Sequence, residues 1–521
     1  MKAGFRQSMA WLHTWSGLLL SWLLFVMFTC GTAAYFQDEI TRWMQPEVTT
    51  DAAPAAAADA AARWLQVNAP GASRWYITLP GTRSATTQLF WTPAPDAAPG
   101  SRRKAVIDGK GQEVSARASA GGYFLYRFHF DLHYIPVLWA RYIVGVAAMS
   151  MLIAIFSGIV THKKIFADFF MLRLGKGQRS WLDAHNVTAV LALPFYLMIT
   201  YTGLVSLDRQ YVPAPIAAAY PEPDAFYDES FPQGADAEAT GTPAPLASLA
   251  SMVVTADRHW GGAGVGYAYV ANPGDAAARV VLTRAPSASM DSNGETLQFD
   301  GASGRLLWVA PGAGAAQRTR GVMIGLHAGR YAGVALRWLY FLSGLGGTIM
   351  VGTGLILWTV KRRSKLPDPT RPHLGFRIVE RLNIAVILGF PIGIAGYFLA
   401  NRLLPLGIAG RADWEVNSLF LTWGAMLLVA LIRPPRRAWI ELSAFAALLF
   451  AAIPLVSALA TDRSLVASLL SRDWTFVGFE LTMMAIALAF ALASRKMAAS
   501  QAVAGQRPHR VKRSHHGEAR A

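Results

Sequence analysis

Residues 10–35 read AWLHTWSGLLLSWLLFVMFTCGTAAY, an apolar stretch broken near its start by one histidine, His13. As a helix it exceeds the roughly 30 Å of hydrocarbon in a bilayer. The small residues Cys30-Gly31-Thr32-Ala33-Ala34 mimic a signal-peptidase site, but the run is too long for a signal-peptide core. It reads as an uncleaved transmembrane helix. Similar runs recur at Pro136–Thr161, Trp181–Val205, Val334–Val360, Ile384–Ala400, Leu419–Ile432, Trp439–Ala460 and Phe476–Ala493, giving eight expected spans. The composition agrees: 53% of the 521 residues are hydrophobic and 15% charged, where a soluble domain carries nearer a quarter charged. The fold class expected is a polytopic α-helical membrane protein.

A net charge of +16 does not point to nucleic acid, because the basic residues gather in short loops between apolar runs. Lys163, Lys164, Arg173, Lys176 and Arg179 lie in 162–180. Lys361, Arg362, Arg363 and Lys365 open 361–383, and Arg433, Arg436 and Arg437 follow the sixth run. The tail 494–521 is basic again at Arg507–Arg513. If spans alternate, all four fall on one side, which the positive-inside rule makes the cytoplasm, with both termini inside. A lone cysteine, Cys30, excludes an intrachain disulfide and a cysteine-built metal cluster.

The long segments 36–135 and 206–333 then lie outside, in the periplasm of a bacterial inner membrane. Each has an Ala/Pro-rich stretch (Asp51–Ala62; Pro213–Leu246) and a short helical pattern (Ala56–Val67; Pro245–Trp260). Strand-like runs follow at Arg74–Leu79, Thr87–Trp91 and Lys104–Ile107, and at Gly266–Val270, Arg279–Thr283, Glu295–Phe299 and Arg305–Trp308. They read as two small α+β domains. A weak internal repeat links the halves: Asp131-Leu132-His133, Arg141-Tyr142 and Ser157-Gly158 correspond to Gly325-Leu326-His327, Arg337-Trp338 and Thr353-Gly354. The unit helix, outer domain, helix is used twice, and the four spans within 384–493 stand outside it.

Six of the eleven histidines sit at the ends of the first four spans. His13, His162 and His185 fall on the inner side; His129, His133 and His327 fall on the outer side. Any one could be a solvated interfacial residue, like Trp11, Trp15 or Trp139. Three on each face of one four-helix unit point instead to ligation, since imidazole suits haem iron and two facing histidines give a six-coordinate electron-transfer centre. His13 with His185, and His133 with His327, share depth by helix direction. Gly17, Ala189 and Gly329 leave room for a flat macrocycle. The expectation is two b-type haems in a four-helix haem-binding bundle. His162 lies roughly 43 Å along a continuous helix from His133, so both cannot be deep; it stands as an alternative inner ligand or a propionate contact. His129 is left for substrate or propionate contact. Arg141 and Arg337, at matching positions, read as propionate partners, against a snorkelling role.

Taken together, Leu12-His13-Thr14-Trp15-Ser16-Gly17-Leu18, Asp131-Leu132-His133, Thr161-His162-Lys163-Lys164, Trp181-Leu182-Asp183-Ala184-His185-Asn186 and Leu326-His327-Ala328-Gly329 resemble the PepSY-associated transmembrane family over roughly residues 1–365. That family includes ferric-siderophore reductases of the ferrioxamine B type. The resemblance implies PepSY-like outer domains, two b-type haems and reduction of a ferric siderophore in the periplasm, releasing Fe(II) for uptake. No flavin or nicotinamide fingerprint is present: Gly344-Leu345-Gly346-Gly347 lies within a span. The electron donor is therefore expected to be separate, a cytoplasmic reductase or a quinol. Three other readings share much of this pattern: a general haem or quinol electron-transfer protein, a non-enzymatic PepSY binding or regulatory protein, and a transporter.

Overall fold

The computed structural model describes residues 4–505, apart from 49–52, 82, 85, 95, 96, 98, 99, 163–168, 170, 174 and 236. Lys163 and Lys164 of the basic loop and the tail Arg507–Arg513 lie outside the described residues. Among the described residues, seven helices are long and apolar enough to cross a membrane, or eight if one bent pair is a single span. This is a multi-pass membrane protein.

The chain divides into two compact units, Met1–Pro372 with Pro405–Asp413, and His373–Leu404 with Trp414–Ala521. In the first, α1 (Phe5–Ala34) leads through α2 (Gln37–Met44) and α3 (Pro54–Asn68) to strands β1 (Arg74–Thr78), β2 (Thr87–Thr92) and β3 (Lys104–Ile107). Then come α4 (Gly121–Asp131), α5 (Val137–Thr161), α6 (Gln178–Leu191), α7 (Leu193–Ser206) and three short helices, α8–α10, between Asp208 and Ser230. The second half repeats the order: α11 (Leu249–His259), β4 (Val265–Ala271), β5 (Arg279–Arg284), β6 (Thr296–Asp300), β7 (Leu306–Val309), α12 (Ala315–Ala328) and α13 (Val334–Arg363).

The third span is not one straight helix. α6 and α7 meet at 67°, because Pro194 has no N–H to donate and its ring crowds the preceding turn. The Tyr196 hydroxyl donates to Thr188 O at 3.0 Å, satisfying a carbonyl at the break.

The outer segments also depart from expectation. Read as two separate domains, they contribute three and four strands to a single antiparallel sheet, ordered β3-β2-β1-β4-β5-β6-β7. β1 pairs with β4 from Arg74↔Ala271 to Thr78↔Tyr267. Either half alone would leave β1 or β4 as an open edge of unpaired backbone groups; joining them covers both. One core serves both halves: Trp75, Ile77 and Leu89 pack in the same cluster as Val280, Leu282 and Phe299, beneath α3 and α11. Asp59 of α3 ties the halves again, accepting from Ala250 N at 2.8 Å in the first turn of α11. Asp59→Ala is expected to lower stability by about 1 kcal/mol, the typical worth of a helix N-terminal acceptor, read as a lower melting midpoint of the purified protein.

The second unit holds α14 (Leu374–Ile387), α15 (Gly389–Leu403), most of α16 (Arg411–Ile432), α17 (Pro435–Ala460), α18 (Leu465–Leu470) and α19 (Trp474–Gly505). Gly389, Gly393 and Gly396 let α15 approach α16, where added Cβ atoms would press on Met426, Leu419 O and Thr422, the small-residue packing usual within bilayers. Its buried polar residues answer one another: Asn401 donates to Glu415 at 2.6 Å, and Arg402 Nε donates to Ser457 Oγ at 3.2 Å.

Candidate functional site: two facing histidine pairs

Four histidines of the first unit come together two by two. His13 of α1 faces His185 of α6, with ring centroids 6.3 Å apart. His129 of α4 faces His327 of α12, with centroids 6.1 Å apart. A metal–imidazole bond is about 2 Å, so one metal between two Nε2 atoms holds the ring centroids about 6 Å apart.

Each ring is oriented in the same way. His13 Nδ1 lies 2.8 Å from Ala154 O, His129 Nδ1 2.8 Å from Met27 O, His185 Nδ1 2.9 Å from Met350 O, and His327 Nδ1 3.0 Å from Ile199 O. A carbonyl only accepts, so Nδ1 carries the proton in all four and Nε2 keeps its lone pair. Ligating histidines are usually held by such a bond on the far nitrogen. Burial lowers the imidazolium pKa of His129, and that of His327 to about 4, against the opposing effect of the carbonyl bonds; His129 adds to the lowering at His327. At neutral pH both rings are in the neutral form a metal needs.

The accepting helices carry a shared device. Four residues beyond each acceptor stands a glycine: Gly158 after Ala154, Gly31 after Met27, Gly354 after Met350, Gly203 after Ile199. A Cβ on Gly31 would lie 2.8 Å from His129 Cε1, and one on Gly203 2.9 Å from His327 Cε1; at Gly158 and Gly354 the distance to the facing ring is 3.2 Å. The missing side chain is what lets each imidazole reach its carbonyl. A small residue precedes each glycine, in Cys30-Gly31, Ser157-Gly158, Thr202-Gly203 and Thr353-Gly354. Within each half the odd span supplies one histidine and, 18 residues on (31 minus 13; 203 minus 185), the glycine that receives the other.

His327 faces His129 rather than His133, which differs from the partnership expected between His133 and His327. α4 ends at Asp131, and Leu132 and Tyr134 have φ of 42° and 68°. This break in the helix turns the chain before α5 starts. His133 is exposed, beside Phe124 and Tyr134. The sequence reading set His133 just before the second span and paired it with His327; the structure puts His129, on a separate helix packed against α1, in its place.

His162, the alternative ligand, has its Nε2 2.8 Å from Nδ2 of Asn186, the neighbour of His185. The two arginines expected beside a ligand close onto carboxylates of the chain itself. Arg141 Nε bonds Asp131 at 2.9 Å; Arg337 pairs with Glu39 and also donates to Ala332 O at 3.2 Å. Glu39 and Asp38 further hold Arg83, at 2.7 and 3.2 Å. These pairs answer the cost of burying arginine.

A cavity of about 540 Å³ opens beside His129 and His327, running from Met27 and Gly31 of α1 to Tyr267 and Thr283 of the sheet, within the range of small-molecule and cofactor sites. Its cationic lining is Arg83, Arg284 and Arg330; Arg141 and Arg337 do not line it. Among the described residues, no three His, Cys, Asp or Glu side chains converge as a metal-ion site. Two facing imidazoles in each pair are donors that would suit haem iron.

The chain is 27% identical over 323 residues to an uncharacterised protein of Pseudomonas aeruginosa, an alignment covering 56% of this chain and 76% of that relative. The model of the PepSY-associated transmembrane region matches residues 10–361. That range takes in the repeated helix–strands–helix unit and all four paired histidines, and leaves out the second compact unit. The chain belongs to the PepSY-associated transmembrane family.

Proposed function

We propose that this protein is an inner-membrane electron-transfer protein holding one b-type haem between His13 and His185 and a second between His129 and His327, and that it reduces ferric siderophores on the sheet-domain side. That side is taken as the periplasm, from the basic residues at the opposite span ends. The observation that carries the reading is the fourfold recurrence of one arrangement: an imidazole with Nδ1 on a carbonyl, a glycine beneath it, and a second imidazole whose ring centroid is about 6 Å away.

Haem held by His13 with His185 and by His129 with His327 would supply one-electron exchange. The chain's residues do the rest. The four carbonyls fix tautomer and ring direction. Eighteen residues of α1 separate His13 from Gly31, about 27 Å of helix, so the two pairs stand near opposite faces of the membrane. Near Gly17 an added Cβ would meet nothing within 4 Å, which leaves open space beside His13. Arg83, Arg284 and Arg330 line the outer cavity together with Asp291, Arg83 being paired with Asp38 and Glu39 and Arg284 with Glu295. Reduction takes Fe(III) to Fe(II) with one electron, and Fe(II) is held less tightly by hard oxygen donors. The electron comes from a separate donor, a cytoplasmic reductase or a quinol.

The test supplies the purified protein with a reductant and a ferric siderophore in the presence of an Fe(II)-specific chromophore. Fe(II) release dependent on the protein and abolished by His327→Ala is expected. Protein that is reduced yet passes no electron to any ferric siderophore would leave a general electron-transfer protein.

A further inference from the structure

The sheet buries one face, and the other is left unexplained by the core. Trp75, Ile77, Leu89 and Ala268 face the interior; the alternate residues point away. Register sets Lys104, Phe90, Tyr76 and Tyr269 in one row across β3, β2, β1 and β4. Ring centroids are 6.2 Å apart for Phe90–Tyr76 and 5.3 Å for Tyr76–Tyr269. Cross-strand aromatic pairs do stabilise sheets, but Phe90 stays 50% exposed and Tyr76 40%. In the next row stands Tyr267, 43% exposed, which together with Thr283 lines the cavity beside His129 and His327. Toward β6 this face is covered, where Gln298 donates to Ala235 O at 3.2 Å. The uncovered rings therefore form a shelf that starts at the cavity and runs outward over β4, β1 and β2.

Most of the charge around the shelf is cationic, with Arg284 paired to Glu295 at 3.0 Å and Asp291 also lining the cavity. Exposed Lys104 and Arg74 stand at its outer part, and Arg284 and Arg330 at the cavity end. Contiguous exposed apolar surface of this kind marks a binding site. Aromatic faces accept planar rings by offset stacking, and surrounding cations attract anions. Three of the rings share one register row and Tyr267 of the next row lines the cavity, unlike the scattered girdle of a membrane interface.

We propose that this shelf binds the aryl groups of an anionic metal chelate with aromatic oxygen donors, its metal end directed into the cavity beside His129 and His327. The assignment rests on the electron-transfer reading only for the fate of the metal, and the binding step stands without it.

Gallium(III) complexes separate the two, because gallium matches the charge of Fe(III) and is not reduced. The full chain in nanodiscs is titrated with the gallium tris-catecholate anion and with neutral, ring-free gallium tris-acetohydroxamate. The catecholate complex is expected to bind more tightly. Phe90→Thr combined with Tyr76→Thr keeps strand-favouring side chains and is expected to weaken catecholate binding by about tenfold or more, at roughly tenfold per stacked ring. Hydroxamate binding should not change, and the melting midpoint should fall only modestly, from loss of the cross-strand ring pairs. An unchanged dissociation constant for the catecholate in the double variant overturns the proposal, as does equal affinity for the two complexes. Loss of catecholate binding when anionic lipid is added to the disc also overturns it, and assigns the shelf to lipid headgroups. Failure of Fe(III) reduction with gallium binding intact would count against the electron-transfer reading alone.

Discussion

Replacing His129 with alanine is expected to lower haem content from about two to about one per chain, whereas His133→Ala leaves it at two. The two residues are four positions apart, so sequence alone makes them near equivalents. The structure separates them: His129 has its Nδ1 on Met27 O and faces His327 at 6.1 Å, while His133 is exposed past the end of α4. Pyridine haemochrome quantification of the two variants, purified alike, reads the difference. Equal loss in both, or loss in His133→Ala only, would remove His129 from the site.

The second large effect comes from a residue with no ligating group. Gly203→Ala places a Cβ 2.9 Å from His327 Cε1, tighter than packed atoms tolerate, so the ring must leave its 3.0 Å contact with Ile199 O. Disturbing a ligand's outer partner costs roughly 10- to 100-fold in metal affinity, and partial loss of the outer haem on dilution or chelation is the expected result. Alanine favours a helix more than glycine does, so a weakened helix cannot explain the loss. Gly424→Ala, where an added Cβ meets nothing within 4 Å, serves as the control and should retain full haem.

Much of the scaffold was legible because bilayers impose simple constraints. Length and apolarity mark the spans, and period-two alternation marks the strands. What escaped was longer in range. Nothing local in Arg74–Thr78 or Val265–Ala271 states that these strands pair with each other, so one sheet read as two domains. Pro194 was visible inside the third apolar run, but its 67° consequence was not drawn.

At the site, the inner pair His13 and His185 was named from helix direction and depth. The outer pair was half named, because the reading chose His133, just before the span beginning at Pro136, and the positive φ values of Leu132 and Tyr134 that separate it from α4 are announced by no sequence pattern. Arg141 and Arg337 were singled out for their cost in a membrane, and the structure gives them Asp131 and Glu39 as partners. A signal for the receiving side was present in all of the first four spans: the small-residue–glycine pairs Cys30-Gly31, Ser157-Gly158, Thr202-Gly203 and Thr353-Gly354. Two of them entered the reading only as marks of duplication. Their role becomes clear once each glycine is seen under a ring.

The most direct test of the account is a dithionite-reduced minus oxidised visible spectrum of the detergent-purified full chain, expressed with ample haem and quantified by pyridine haemochrome. Sharp low-spin b-type bands with about two haems per chain, one lost in His327→Ala and one in His185→Ala, are the predicted result. A colourless protein, or haem retained unchanged in both variants, would contradict it.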